Sequence, residues 1–246
     1  MIDWGKLQHA YGPADDMPAL LRQLSPDPKA DVWDTLWSRL CHQGSVYSAS
    51  FATLFWLLPA ASSWPPTGRV MPLTLAAHIV KGGRSEEHRK ILEQLTPIIA
   101  ELLTLTLDTL PESTLSADDL VYLSQAKLLF ENDRGWGPVL DNILDGDFQG
   151  QCPDCKADFH IVAGRGFGFF VTADEWINNA KGQLVSITPA LPDQLDGIEL
   201  WLFETLSARG SSEFTRALLC FFGYSACPMC RNTVKLPDAI KKAVAG

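Results

Sequence analysis

Two short cysteine motifs constrain this chain more than any other feature: "QCPDCKADFHI" at 151–161 and "ACPMCRNTVKL" at 226–236. Setting Cys152 on Cys227 aligns Cys155 with Cys230 and Pro153 with Pro228 at an offset of 75. The correspondence continues outward. Gly135 matches Gly210, and Leu120, Leu123, Leu128, Val139, Ile143 and Leu144 fall on Leu195, Ile198, Phe203, Phe214, Leu218 and Leu219. Downstream, Phe159 and Ile161 fall on Val234 and Leu236. Each unit reads as helix, glycine turn, helix, Cys-Pro-x-Cys knuckle and short strand. Stacked in parallel register, two such units bring both knuckles within reach of one ion. Four thiolates in a tetrahedron are a preferred structural zinc site and leave no position for water or substrate. The spacing therefore predicts one structural Zn2+ per chain, held by Cys152, Cys155, Cys227 and Cys230. Two other readings stay open. Cys-Pro-x-Cys also serves as a redox pair, although there it follows a strand and opens a helix whose dipole acidifies the thiol, and the pairs can also be unmetallated buried thiols. Cys41 and Cys220, in apolar helical surroundings, read as small core residues.

Composition narrows the partners. The formal net charge is −9, whereas binding to nucleic acid or an anionic membrane surface draws on clustered Lys and Arg. A basic protein suits the chain better. "MIDWGKLQHAYG" lacks a basic stretch followed by an apolar core, so no signal peptide is expected. The uncharged run from Leu40 to Gly68 is interrupted by Ser48, Ser50 and Thr53 and reads as a core helix, not a membrane span. Paired cysteines without a disulfide framework fit a reducing, cytoplasmic setting.

Most of the chain carries helical periodicity. Met17, Leu20, Leu21 and Leu24 follow the cap candidates Asp15 and Asp16, and Trp33, Leu36, Trp37 and Leu40 repeat the pattern up to Gly44. Ser45 is expected to open another helix, running to Pro59 and the breaker "SSWPPTG". A short helix over 71–81 ends at Gly82 and Gly83, and Ile91, Leu92, Leu95, Ile98, Ile99, Leu102 and Leu103 form an apolar stripe kinked at Pro97. Ser116 with Asp119 reads as a capping box, and Pro192 with Asp193 as the equivalent start. The expected fold is mainly α. HEAT-like helical hairpins stack as an α-solenoid, with a plain bundle as the alternative, and carry a small β-hairpin insertion and the four-cysteine zinc-knuckle site. N-terminal hairpin repeats occupy 1–115; residues 116–246 carry the knuckles and the insertion, continuous with the first part.

Between about 157 and 190 the period changes. Phe159 and Ile161, then "AGRGFG", then Phe167, Phe169 and Val171 read as a β-hairpin. Gly164, Gly166 and Gly168 read as its turn, because a phosphate loop requires a following helix start. His160 alternates away from Phe159 and Ile161 and reads as solvent-facing, not ligating. Asp118 with Asp119, Asp15 with Asp16, and Glu86 with Glu87 stand at helix starts, where the dipole accounts for them. "DNILDGDFQG" at 141–150, with Asp141, Asp145 and Asp147, lacks the alternation of a calcium loop and reads as a helix end. Trp33 and Trp37 belong to a core stripe; Trp64, Trp136 and Trp176 fall at turns and are candidate exposed anchors. No catalytic triad, His-Glu-x-x-His helix or Walker loop is present in the sequence.

"HAYG" at 9–12, Asp16, Pro18 and "LCHQGSVYSAS" at 40–50, leading to an apolar helix that ends in Pro59, resemble bacterial helical-repeat proteins of the HEAT-like kind. Some of these serve as immunity proteins for polymorphic toxins. The resemblance covers about the first hundred residues. With the acidic charge, the extended surface of the expected fold and the lack of a catalytic motif, the expectation is a non-enzymatic cytoplasmic scaffold that binds another protein, most concretely, as the resemblance implies, a bacterial toxin of basic charge. A zinc-ribbon nucleic-acid module is the alternative, carried by Lys156, Arg165, Arg231, Lys235, Lys241 and Lys242 near the knuckles. An enzyme with its site in a cleft is a third expectation.

Overall fold

The structure is a computed structural model and describes residues 2–164, 168–173 and 184–245. It is mainly helical, with small antiparallel sheets and a cluster of four cysteines. The chain divides into two units, one comprising 1–115 with 122–132, the other 116–121 with 133–246.

In the first unit, a two-residue ladder, β1 (Gln8–His9) against β2 (Gly12–Pro13), precedes α1 (Met17–Leu21). The helix predicted to reach Leu24 stops at Leu21. Asp16 stands at its N-cap but makes no cap hydrogen bond; its carboxylate receives His9 Nε2 at 3.1 Å and pairs with Arg39. α2 (Val32–Leu40) buries Trp33, Leu36 and Leu40 of the expected stripe, while Trp37 is half-buried. It ends at Leu40, before Gly44, because Cys41 leaves the helical backbone (φ −134°, ψ 42°); Gln43 and Gly44 then take left-handed backbone (φ 50° and 77°). Buried Ser50 joins the next helix to this end, accepting from Tyr47 N–H at 2.9 Å and donating to the Leu40 carbonyl at 2.7 Å.

α3 (Ser48–Ser63) runs through Pro59 instead of ending there. The carbonyl that proline leaves unpaired belongs to Phe55, which is 51% exposed, so water can satisfy it. α4 (Pro66–Gly82) starts well before the expected 71–81 segment, since proline in the first turn lacks only an N–H that no helix uses. The stripe from Ile91 to Leu103, expected on one helix kinked at Pro97, is carried by two: α5 (Glu86–Gln94), capped by Ser85, and α6 (Thr96–Thr109), whose first turn holds Pro97. Of the apolar stripe only Leu95 and Leu102 are buried; Ile91, Leu92, Ile98, Ile99 and Leu103 are half-buried. α3, α4 and α6 pack against one another pairwise. α7 (Ala117–Phe130) starts with the expected capping box: Ser116 N–H donates to Asp119 Oδ2 at 2.9 Å and Asp119 N–H to Ser116 Oγ at 3.1 Å. Among the described residues no helix is long and apolar enough to cross a membrane.

The second unit is built on an antiparallel sheet, β3 (Asp147–Gln151), β4 (Asp158–Ala163), β5 (Phe169–Thr172) and β6 (Val185–Ser186), in that order. The expected hairpin is its centre, with Ile161 opposite Val171, and β3 and β6 extend it on both sides. "DNILDGDFQG" supplies a one-turn α8 (Asn142–Asp145), a left-handed Gly146 (φ 72°) and then β3, so it is a helix end followed by a strand. The second helix expected in the first repeat has thus shrunk to one turn, whereas its counterpart α10 (Ser212–Phe221) is complete. α9 (Gly197–Ser207) starts five residues after Pro192, which instead opens a 3-10 turn. β7 (Tyr224–Ala226), β8 (Thr233–Lys235) and α11 (Leu236–Ala245) complete the unit, with α11 packed on β3 and α10 on β4. Arg165, Gly166, Phe167 and Trp176 lie outside the described residues.

Trp136, expected as an exposed anchor, is fully buried. It meets Phe148 and Phe222 edge to face at 5.8 and 5.3 Å, and Phe148 meets Phe221 at 4.6 Å. Its indole donates to Glu199 Oε1 at 2.9 Å, and Lys241 Nζ reaches the same oxygen at 2.5 Å. Burial pushes the Glu199 carboxyl up, but the hydrogen bonds from Lys241 and Trp136 outweigh it and hold it below its ordinary 4.5. The stability this carboxylate supplies is therefore full above pH 4.5 and is lost as the pH falls below that value. Glu199→Gln should cost about 1–3 kcal/mol at neutral pH and flatten the acid limb of the stability curve, measured by urea unfolding across that pH range.

Candidate metal centre

All four candidate ligands lie in the second unit, at the tips of two β-hairpins. β3 and β4 flank Cys152 and Cys155; β7 and β8 flank Cys227 and Cys230. The repeat in the sequence predicts a helix directly before each knuckle. A strand precedes each instead, ending at Gln151 and at Ala226. The inward positions of β3 are Phe148 and Gly150, a pair that the apolar pattern does not mark as a strand; a Cβ on Gly150 would meet the Phe159 ring at 2.8 Å.

The two knuckles are closed by the same backbone bonds. Cys152 N–H donates to the Ala157 carbonyl at 2.9 Å and Lys156 N–H to the Cys152 carbonyl at 3.1 Å. Cys227 N–H donates to the Asn232 carbonyl at 2.8 Å and Arg231 N–H to the Cys227 carbonyl at 3.1 Å. Lys156 and Arg231 both take the left-handed conformation, φ 63° and 68°, which strains a side chain but not glycine. Neither cysteine pair opens a helix, since both lie in turns between strands. The helix N-terminus on which a redox pair of this type relies is thus missing from both.

The sulfurs converge. Cys152 Sγ is 3.8 Å from Cys230 Sγ, Cys155 Sγ is 3.7 Å from Cys227 Sγ, and all four lie within 4.8 Å of one another. Exchanging the two knuckles turns one of these close contacts into the other, so the repeat acts at the site as a local pseudo-twofold. Sulfurs bound at about 2.3 Å to a tetrahedral centre stand about 3.8 Å apart along each edge. The donor set and its spacing therefore fit a metal such as zinc, whose preference for thiolate matches four sulfurs. With sulfur in every position such a centre would be closed, and an ion held there would join two hairpins.

The environment of the thiols is uneven. Cys152 and Cys227 are buried, Cys230 is partly covered and Cys155 is exposed. Burial pushes the Cys152 thiol up. The Ala157 backbone N–H draws Cys155 down to about 7. For Cys230 the Asn232 N–H favours the thiolate, yet burial and its three sulfur neighbours carry it up to about 12. A metal replaces protons that these groups otherwise share, so binding releases protons and weakens as the pH falls. Two contacts outside the ligands brace the site: Met229 N–H donates to Cys227 Sγ at 3.4 Å, and Asn232 Nδ2 donates to Asp154 Oδ2 at 2.8 Å, tying one knuckle to the other. The sequence singles out neither contact, because Asp154 and Asn232 occupy non-equivalent places in the repeat.

The remaining candidates fall elsewhere. His160 is outside the cluster and only 21% exposed, with Nδ1 3.3 Å from Asp147 Oδ1, so it pairs across the sheet instead of facing solvent freely. Cys220 is buried as expected, its thiol pushed up to about 11 by burial. Cys41 is only partly buried, though burial still lifts its thiol to about 12. Glu86 pairs with Arg89 and Lys90, and Asp119 serves the capping box, which accounts for these two carboxylates.

Zinc at a free concentration about a hundred times its Kd adds about 2.7 kcal/mol to the folded state. Chelation should lower the unfolding free energy by that order, and Cys152→Ser or Cys227→Ser should abolish the response, whereas Cys220→Ser should keep it. Calorimetry with and without a chelator, beside metal analysis of each variant, measures all three. Comparison of the chain with protein-family models, curated proteins and solved structures returned no match, so its site is read from geometry alone.

Proposed function

We propose that this protein is a non-enzymatic, zinc-stapled helical scaffold that binds another protein, and that its partner is a basic bacterial toxin which it neutralises as an immunity protein. The observation that carries the first half is the convergence of the Cys152, Cys155, Cys227 and Cys230 sulfurs within 4.8 Å of one another. A closed thiolate centre stiffens hairpins and leaves no room for substrate. The second half draws on three supports: the net charge of −9, the resemblance of the first hundred residues to HEAT-like immunity proteins, and exposed aromatic side chains in the N-terminal unit. Tyr11 is 63% exposed and Phe55 51%. Tyr11 stands on the β1–β2 turn, its N–H donating to His9 Nδ1 at 3.0 Å and its ring edge-on to His42 at 5.6 Å. Aromatic groups held in one conformation bind at little entropic cost. HEAT-like stacking of the hairpins and a cytoplasmic, bacterial setting belong to the same proposal.

A zinc-ribbon module for nucleic acid is the second reading, favoured by the exposed Lys156, Arg231 and Lys235 around the knuckles. The two readings separate in one experiment. Affinity capture from the native cell, analysed by mass spectrometry, should recover a basic protein with a toxin domain. Co-expression with it should rescue growth, and Tyr11→Ala should weaken the complex by about 2 kcal/mol or more. Recovery of nucleic acid with a steep salt dependence and no protein would select the second reading.

A further inference from the structure

Burial differs sharply among the four thiols of the cluster. Cys152 and Cys227 are 0% and 1% exposed, Cys230 is partly covered, and Cys155 lies open at the tip of its hairpin together with Pro153, Asp154 and Lys156. An oxidant arriving from solvent meets Cys155 first, because thiol oxidation follows exposure. The partner it would then find is fixed by the fold. Cys227 Sγ, buried and on the other hairpin, is 3.7 Å away, and the equivalent pair Cys152 and Cys230 is 3.8 Å apart. Both close contacts join the two hairpins instead of the two ends of one knuckle.

We propose that the centre is a peroxide-sensitive clasp, in which oxidation entering at Cys155 exchanges the metal for a Cys155–Cys227 disulfide that keeps the two hairpins joined. The inference rests on the reading of the cluster as a zinc site. In the first step the Cys155 sulfur attacks one peroxide oxygen; an S–O bond forms, the O–O bond breaks and the second oxygen leaves as water, giving the sulfenic acid. In the second, the Cys227 sulfur attacks that sulfenic sulfur; the S–S bond forms, the S–O bond breaks and the oxygen leaves as a second water. Two cysteine sulfurs lose two electrons and the peroxide oxygens gain them. Cys152 and Cys230 remain as two donors, too few for a closed tetrahedral site. A structural disulfide and a structural metal constrain the same long loop, so oxidation changes the occupant while preserving the connection.

The test uses the full zinc-loaded chain. Metal content is measured first, so that failure of the zinc reading is recorded separately. Hydrogen peroxide is then added while a chromogenic chelator reports released zinc, and the product is mapped by non-reducing proteolysis and mass spectrometry. One zinc should leave per chain, with Cys155 linked to Cys227 and with Cys41 and Cys220 still alkylatable. Cys155→His keeps a zinc ligand but removes the exposed thiol, and should slow release by about tenfold or more. Thioredoxin or dithiothreitol with added zinc should restore the starting state. Zinc retained under peroxide, a Cys152–Cys155 or Cys227–Cys230 link as the first product, or unchanged release from a zinc-loaded Cys155→His protein would each overturn the proposal.

Discussion

The C-terminal unit depends on four sulfurs meeting at the tips of two hairpins remote in sequence. Cys155 and Cys227 are separated by 72 positions, and closing a flexible loop of that length costs about 4 kcal/mol beyond a constant term. Four thiols in van der Waals contact do not offset such a cost, whereas a metal bound by all four as thiolates would, because its binding free energy adds to that of folding. The knuckles are built to present sulfur and little else. Each ends one strand, turns through a left-handed residue and starts the next, so the two cysteines of a pair face the same point. Pseudo-twofold exchange of the hairpins then brings four sulfurs together from one repeated motif.

Behind the knuckles a second set of interactions holds the same hairpins from the other end. Trp136, Phe148, Phe221 and Phe222 form an edge-to-face cluster, and α11 packs on β3. Glu199 brings together the Trp136 indole and the Lys241 ammonium, one residue from each of three separate stretches of chain. Its charge is tolerated in a partly buried place because two donors converge on a single oxygen. The four-cysteine cluster and this network therefore lie at opposite ends of the strands that carry the cysteines.

What can be read in advance follows from how local each cause is. The cysteine cluster is legible because an offset of 75 repeats residue types, and ligand chemistry demands that those types converge. The Ser116–Asp119 capping box and the pairing of Phe159–Ile161 with the segment around Val171 are legible for the same reason, since each depends on residues close in sequence. Prolines mislead in one direction. The sequence reads Pro59 and the "WPP" of the breaker as stops and Pro97 as a kink, yet Pro66 and Pro97 sit in first turns and Pro59 lies inside a helix. Whether a helix survives proline depends on what can satisfy the freed carbonyl, which is a tertiary matter. Trp136 reads as a surface residue because it follows a turn; its burial depends on Glu199 and Lys241, which no local pattern connects to it. β3 is hidden because its inward positions alternate a phenylalanine with a glycine, and the glycine is there for the ring of Phe159, not for the strand.

The most direct measurement is X-ray absorption at the zinc edge on the full chain purified without added metal. Four sulfur scatterers at about 2.3 Å around one zinc per chain, with no nitrogen or oxygen neighbour, is the expected result. A protein that carries no metal after zinc reconstitution, or whose bound zinc is surrounded by oxygen or nitrogen, would contradict a closed thiolate centre.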